Sequence, residues 1–172
     1  FESGIFIDDA TYYNAISSLK IGDTISAVLN YEKVVENNFA SYQENALIFL
    51  ARRSYNADDY EKSNIYYAKL WEFSSSNSIK REVVIRLMTG NEHTDKIVAL
   101  KYAKQVIELD KTDNWLLSKA YIIIAREEFE SGNYAKSKLS FEKVTNLSSY
   151  DEGAEAKYYL AYLTYLDDDL TL

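Results

Sequence analysis

The sequence predicts an all-α chain of about four and a half stacked helix-turn-helix repeats, and three observations carry that prediction. A small-x₃-aromatic-x₂-aliphatic phrase recurs as Ala27-x₃-Tyr31-x₂-Val34, Ser63-x₃-Tyr67-x₂-Leu70 and Ser137-x₃-Phe141-x₂-Val144, with Ala99-x₃-Ala103-x₂-Val106 between the last two, in steps of 36, 36 and 38 residues. A second column of mostly small residues, Ala15, Ala51, Leu87, Ala125 and Ala161, runs twelve residues ahead of it. There is no Pro and only five Gly, so the main helix breakers are scarce.

The first repeat, about 8–41, places Ala15 on its first helix, turns at Gly22-Asp23 and closes with the Ala27 phrase. The second, 44–77, carries Leu47, Leu50, Ala51 and Ser54 as a stripe at helical spacing and turns at Asp58-Asp59. Ser74 to Ser76, with Asn77, reads as the loop to the third repeat, 80–115, whose first helix (about Ile79 to Thr89) is degenerate and whose turn is Thr94-Asp95. Two extra residues fall between Val106 and Tyr121, most simply in the loop Lys111 to Asn114, where insertion is cheap. The fourth repeat, 118–151, turns at Gly132-Asn133; the fifth, 154–172, opens with Leu160-Ala161 and reaches its expected turn at Asp168-Asp169-Leu170. Gly and Asp or Asn suit these turns because they accept left-handed backbone or cap the free amides of the next helix. Small residues in one helix let its partner approach, and an aromatic ring four residues on covers the cleft; stacked pairs then bury what one pair cannot.

Composition narrows the function classes. The chain of 172 residues is 47% hydrophobic and 27% charged, as expected of one folded domain, and carries a net charge of −8. That balance lacks the basic surplus of a phosphate-tracking protein, so nucleic acid is not an expected partner. No run of 18 apolar residues occurs, so no transmembrane segment is expected. Absence of Cys excludes disulfides, thiolate nucleophiles and Cys-type zinc sites. The first residue is Phe1, which reads as a mature or excised piece, and the last helix, with Tyr158, Tyr159, Leu160, Leu163 and Leu166, would show an apolar flank. A longer array, or self-association through that helix, is the expectation for covering it.

The stretches Leu50-Ala51…Asp58-Asp59-Tyr60…Ser63-x₃-Tyr67 and Ile124-Ala125…Gly132-Asn133-Tyr134…Ser137-x₃-Phe141 resemble the tetratricopeptide repeat, whose pattern is W-x₂-L-G-x₂-Y…A-x₃-F…P over about 34 residues. The resemblance covers roughly residue 8 to the end and implies a right-handed α-α superhelix. The Trp slot departs, holding Thr11, Leu47, Val83, Tyr121 and Lys157, and the Pro slot holds Phe39, Ser75, Lys111 and Ser149. The Tyr-rich style of phrases such as Ala156-Lys157-Tyr158-Tyr159-Leu160-Ala161-Tyr162 is similar to repeat proteins of the bacterial cell envelope, which implies a periplasmic or cell-envelope location, with the cytoplasm as alternative.

No catalytic, cofactor-binding or metal site is expected. His93 is the only histidine and falls in an irregular turn. Asp8-Asp9, Asp58-Asp59 and Asp167 to Asp169 sit where capping and the helix dipole explain them. Asn146-Leu147-Ser148 fits a glycosylation acceptor, a pattern common by chance. The resemblance implies instead a concave groove lined by first helices. Its positions would be Tyr12 and Ile16, Arg52 and Tyr55, Met88, Arg126 and Phe129, and Tyr162 and Tyr165, with Leu19, Ile48, Ile122 and Tyr158 beside them. Arg and Tyr are frequent anchors of partners, and core or inter-repeat packing is the competing reading for the rings. The Lys and Asn clamp for a C-terminal carboxylate found in chaperone co-factors of that family is unmatched. The expected function is a non-enzymatic scaffold that binds a partner peptide or helix in this groove, with Arg52 and Arg126 fixing acidic groups. The alternatives are a sensor or regulatory module of a larger signalling protein and, less favoured, a helical-repeat RNA reader.

Overall fold

In the computed structural model residues 6–109 and 111–169 are described, with side chains to Leu166, and they form nine helices: α1 Ile7–Lys20, α2 Thr24–Glu36, α3 Ala40–Asn56, α4 Tyr60–Phe73, α5 Asn77–Asn91, α6 Lys96–Leu109, α7 Asn114–Glu130, α8 Tyr134–Leu147 and α9 Asp151–Asp169. No strand occurs among the described residues. The degenerate stretch is a regular helix, α5, because Val83 and Val84 supply buried contacts that its weak pattern did not advertise. The chain forms two compact units, Phe1–Arg86 and Leu87–Leu172.

In the first unit α1, α2, α3 and α4 pack consecutively, and α1 also touches α3. Both predicted columns are interior: Ala15, Ala27, Ala51 and Ser63 are fully buried, as are Val34 and Tyr67. The Ser63 hydroxyl donates to the Ala51 carbonyl at 3.2 Å, so the small residue that permits close approach also stitches the two helices together. Gly22 (φ 81°) and Asp58 (φ 56°) take the left-handed turn positions. The next residues, Asp23 and Asp59, accept from the amides of Ser26 (3.0 Å) and Lys62 (3.1 Å) as N-caps.

The second unit repeats these contacts. Helices α6, α7, α8 and α9 pack in order, with α7 also against α9. Ala125, Ser137, Phe141 and Val144 are fully buried, and the Ser137 hydroxyl donates to the Ala125 carbonyl at 2.9 Å. The ring pair Tyr31–Phe49 of the first unit (4.6 Å) has its counterpart in Phe141–Tyr159 (4.8 Å, planes 4° apart). Tyr55–Tyr60 (5.3 Å) has its counterpart in Phe129–Tyr134 (5.4 Å). Each pair occupies the same register of its own repeat, so the hairpins agree in contacts as well as in sequence. The third repeat has Ala103 in the aromatic slot, fully buried.

Two turn expectations are refined. The connection expected at Lys111 to Asn114 includes residues 111–113, with Asn114 already the first residue of α7. The turn expected at Asp168-Asp169 is absent: both residues lie within α9, which has no Gly at its end to take a left-handed stop, while Leu170 lies outside the described residues. Ala161 is exposed, unlike the other members of its column, and Tyr158 (68%) and Tyr165 (62%) lie open beside it.

Candidate functional site

In the first unit three of the expected groove positions, Leu19, Ile48 and Arg52, line a hollow of about 550 Å³, and Tyr12, Ile16 and Tyr55 lie outside its lining. Leu19 comes from the end of α1, and Asn45, Ile48, Arg52, Arg53 and Asn56 come from successive turns of α3. Spacings of three, four and one residues put these on one side of the helix, which is why they share a cavity. The rim is cationic, and no carboxylate lines it.

Arg52 is not free to serve as imagined from sequence. Its Nε and one terminal nitrogen grip both oxygens of Glu82 on α5, at 2.7 and 2.5 Å. The Tyr67 hydroxyl donates to the same carboxylate at 3.1 Å. Hydrogen bonding from Arg52 holds the Glu82 carboxyl below the usual glutamate range. A carboxyl lowered on folding adds stability above its unfolded value of about 4.3, and that contribution disappears as the pH falls through the folded value. Arg52→Gln is therefore expected to cost about 1 kcal/mol or less at neutral pH, since the arginine is half in water, and the difference from the parent should vanish on acidification. Urea unfolding across the acid range, followed by far-UV circular dichroism, checks this; a difference that grew on acidification would contradict it.

The other first-unit positions are also engaged. Tyr12 stacks on Tyr42 at 4.1 Å, and its hydroxyl accepts from the Asn45 amide at 3.2 Å. Tyr42 in turn donates to Asp9. Tyr55 lies under the Arg86 guanidinium at 4.4 Å. Ile16 is half-buried. Arg53, next to Arg52 and exposed, makes no side-chain hydrogen bond or ion pair among the described residues.

In the second unit Met88 and Ile122 are buried, so neither can reach a partner, which removes Met88 from the expected set of contacts. Their column predicts an outward face, but both side chains are core. Arg126 holds Glu155 on α9 with two bonds of 2.7 and 2.6 Å and Glu92 with one of 3.1 Å. Burial pushes the Glu92 carboxyl up, and Arg126 opposes the shift. Phe129 packs on Tyr159 (4.9 Å) and Tyr162 (6.0 Å), so those groove positions do meet, with Tyr162 42% and Tyr165 62% exposed.

Sequence reasoning missed Arg53, Asn45 and Asn56, and it missed the acids that bind the arginines. A signal for the latter exists: Glu82 and Glu155 lie at similar offsets, 30 and 29 residues after their arginines. Lys62 with Glu32 and Lys96 with Glu130 share that kind of spacing. Among the described residues no group of three His, Cys, Asp or Glu could hold a metal, and no helix is long and apolar enough to cross a membrane. Compared with known proteins, the chain matches no protein-family model and no curated sequence.

Proposed function

We propose that this chain is a non-enzymatic interaction scaffold of tetratricopeptide-like repeats, wound in the right-handed sense, that holds a partner peptide against its first helices. The observation that carries this reading is the hollow of about 550 Å³ between α1 and α3, where the expected positions Leu19, Ile48 and Arg52 meet. It has the size of a site for a few side chains and mixes apolar wall with polar amides, as peptide-binding clefts do. The repeat family is supported by the recurrence of the Ser63–Ala51 and Ser137–Ala125 bonds and of the matched ring pairs. Protein rather than nucleic acid is the partner that suits a net charge of −8.

Selection of a random peptide library displayed on phage against the full chain tests the proposal. Enriched peptides should bind the parent and lose about tenfold or more on Asn56→Trp, which fills the hollow from an exposed position. Far-UV circular dichroism of the variant should match the parent. Peptides that bind both proteins equally would overturn the groove, and no enrichment at all would overturn the scaffold.

A further inference from the structure

We infer that the hollow on the first unit selects an acidic, extended polypeptide segment, and that Arg53 is the residue that receives its carboxylate. The inference rests on the groove reading above and adds the chemistry of the partner. Two arginines border this hollow and no acid does, on a chain whose overall charge is −8, so an anion entering it meets cations at its wall. Of the two, Arg52 has already spent its fork on Glu82. Arg53 has not, and its planar fork matches a carboxylate in two bonds.

Asp59 borders a neighbouring hollow together with Arg53 and Lys62; it accepts from the Lys62 amide and makes no ion pair with Arg53. The last carbonyls of α3 are satisfied within the turn: Arg53 and Ser54 accept from the Ala57 amide, Ser54 also from Asp59, and Tyr55 from Asp58.

The rest of the wall says what kind of anion carrier fits. Leu19 and Ile48 offer apolar surface beside the cation. Asn56, exposed and without a side-chain partner among the described residues, can donate to and accept from one peptide unit at once. A strand alternating acidic and apolar residues meets all three. RNA would satisfy the arginine but brings no aliphatic side chains to Leu19 and Ile48, and a flat membrane cannot enter a concavity.

The test uses three short fluorescein-labelled peptides of equal length, alternating Asp with Leu, Asn with Leu and Lys with Leu, together with labelled oligouridylate. Fluorescence anisotropy against the full chain at low salt should show the Asp peptide binding about tenfold or more tighter than the Asn peptide, with the Lys peptide weakest. Arg53→Gln should abolish the preference for Asp over Asn, while Lys33→Gln, which removes the same charge from an exposed site on α2, should leave it intact. Equal binding of Asp and Asn peptides, or equal effects of the two variants, would overturn the assignment of Arg53. Oligouridylate binding as tightly as the Asp peptide and losing it with Arg53→Gln would overturn the polypeptide partner. If display-selected peptides occupy the groove yet are neutral or basic, the acidic preference falls and the scaffold stands; if nothing selected is displaced by Asn56→Trp, the groove itself falls.

Discussion

Replacing Phe141 with Ala is expected to destabilise the Leu87–Leu172 unit by about 3–5 kcal/mol. The ring is fully buried, sits one helical turn beyond the Ser137 that bonds to Ala125, and stacks flat on Tyr159 of the next helix. Its removal therefore opens a cavity where two hairpins meet and unpairs Tyr159 at the same time. A domain of this kind is stable by roughly 5–15 kcal/mol, so the loss is a large share of the total. The two tryptophans separate the units: Trp71 lies on α4 and Trp115 on α7. In a Trp71→Phe background, urea titration of Trp115 fluorescence reports on the second unit, with Leu139→Ala, 61% exposed, as a control expected to change stability by about 0.5 kcal/mol or less. A loss under about 1 kcal/mol for Phe141→Ala would mean that the ring is not the keystone of the hairpin contact.

Why Phe141 is plainer in the sequence than the ion pairs are follows from what each interaction demands. Close helix packing requires a small side chain at one position and a large one four residues on, and a demand repeated in every hairpin leaves a repeating trace; Ala15, Ala51, Ser63, Tyr67, Ser137 and Phe141 were all legible and all are buried. The turns were legible for a similar reason, since Gly22, Asp58 and Gly132 occupy backbone that other residues resist. Salt bridges make a looser demand, because long side chains reach a partner from several registers. Glu82 and Glu155 accordingly stand at slightly different offsets from Arg52 and Arg126. The expected groove rested on columns alone, and columns do not know burial: Ile48 and Arg52 line a hollow, whereas Met88 and Ile122 at corresponding columns are core. Arg53 escaped because nothing repeats it; it is singled out by having no partner, a property that only the surrounding side chains define.

Gly153→Ala sets two physical effects against each other, and the expected result is a net loss of about 1–3 kcal/mol. Helix propensity alone favours the change by about 1 kcal/mol, since Gly153 lies inside α9 and Ala restricts the unfolded chain. Packing opposes it. A Cβ at this position would stand 1.9 Å from the carbonyl oxygen of Ser148 and 2.8 Å from its carbon, far inside any tolerated contact. Backbone, not a flexible side-chain end, is what it meets. The carbonyl cannot retreat freely, because the Ser148 amide donates to Val144 at 2.9 Å and the Ser148 hydroxyl accepts from the Tyr150 amide at 3.2 Å. The bare α-carbon thus allows α9 to start against the end of α8. The neighbouring Ala154, exposed on the same helix, supplies the contrast: Ala154→Gly is expected to lose about 1 kcal/mol through propensity alone. If propensity governed both sites, the two exchanges would have opposite signs in urea unfolding; the close approach to Ser148 requires both to destabilise.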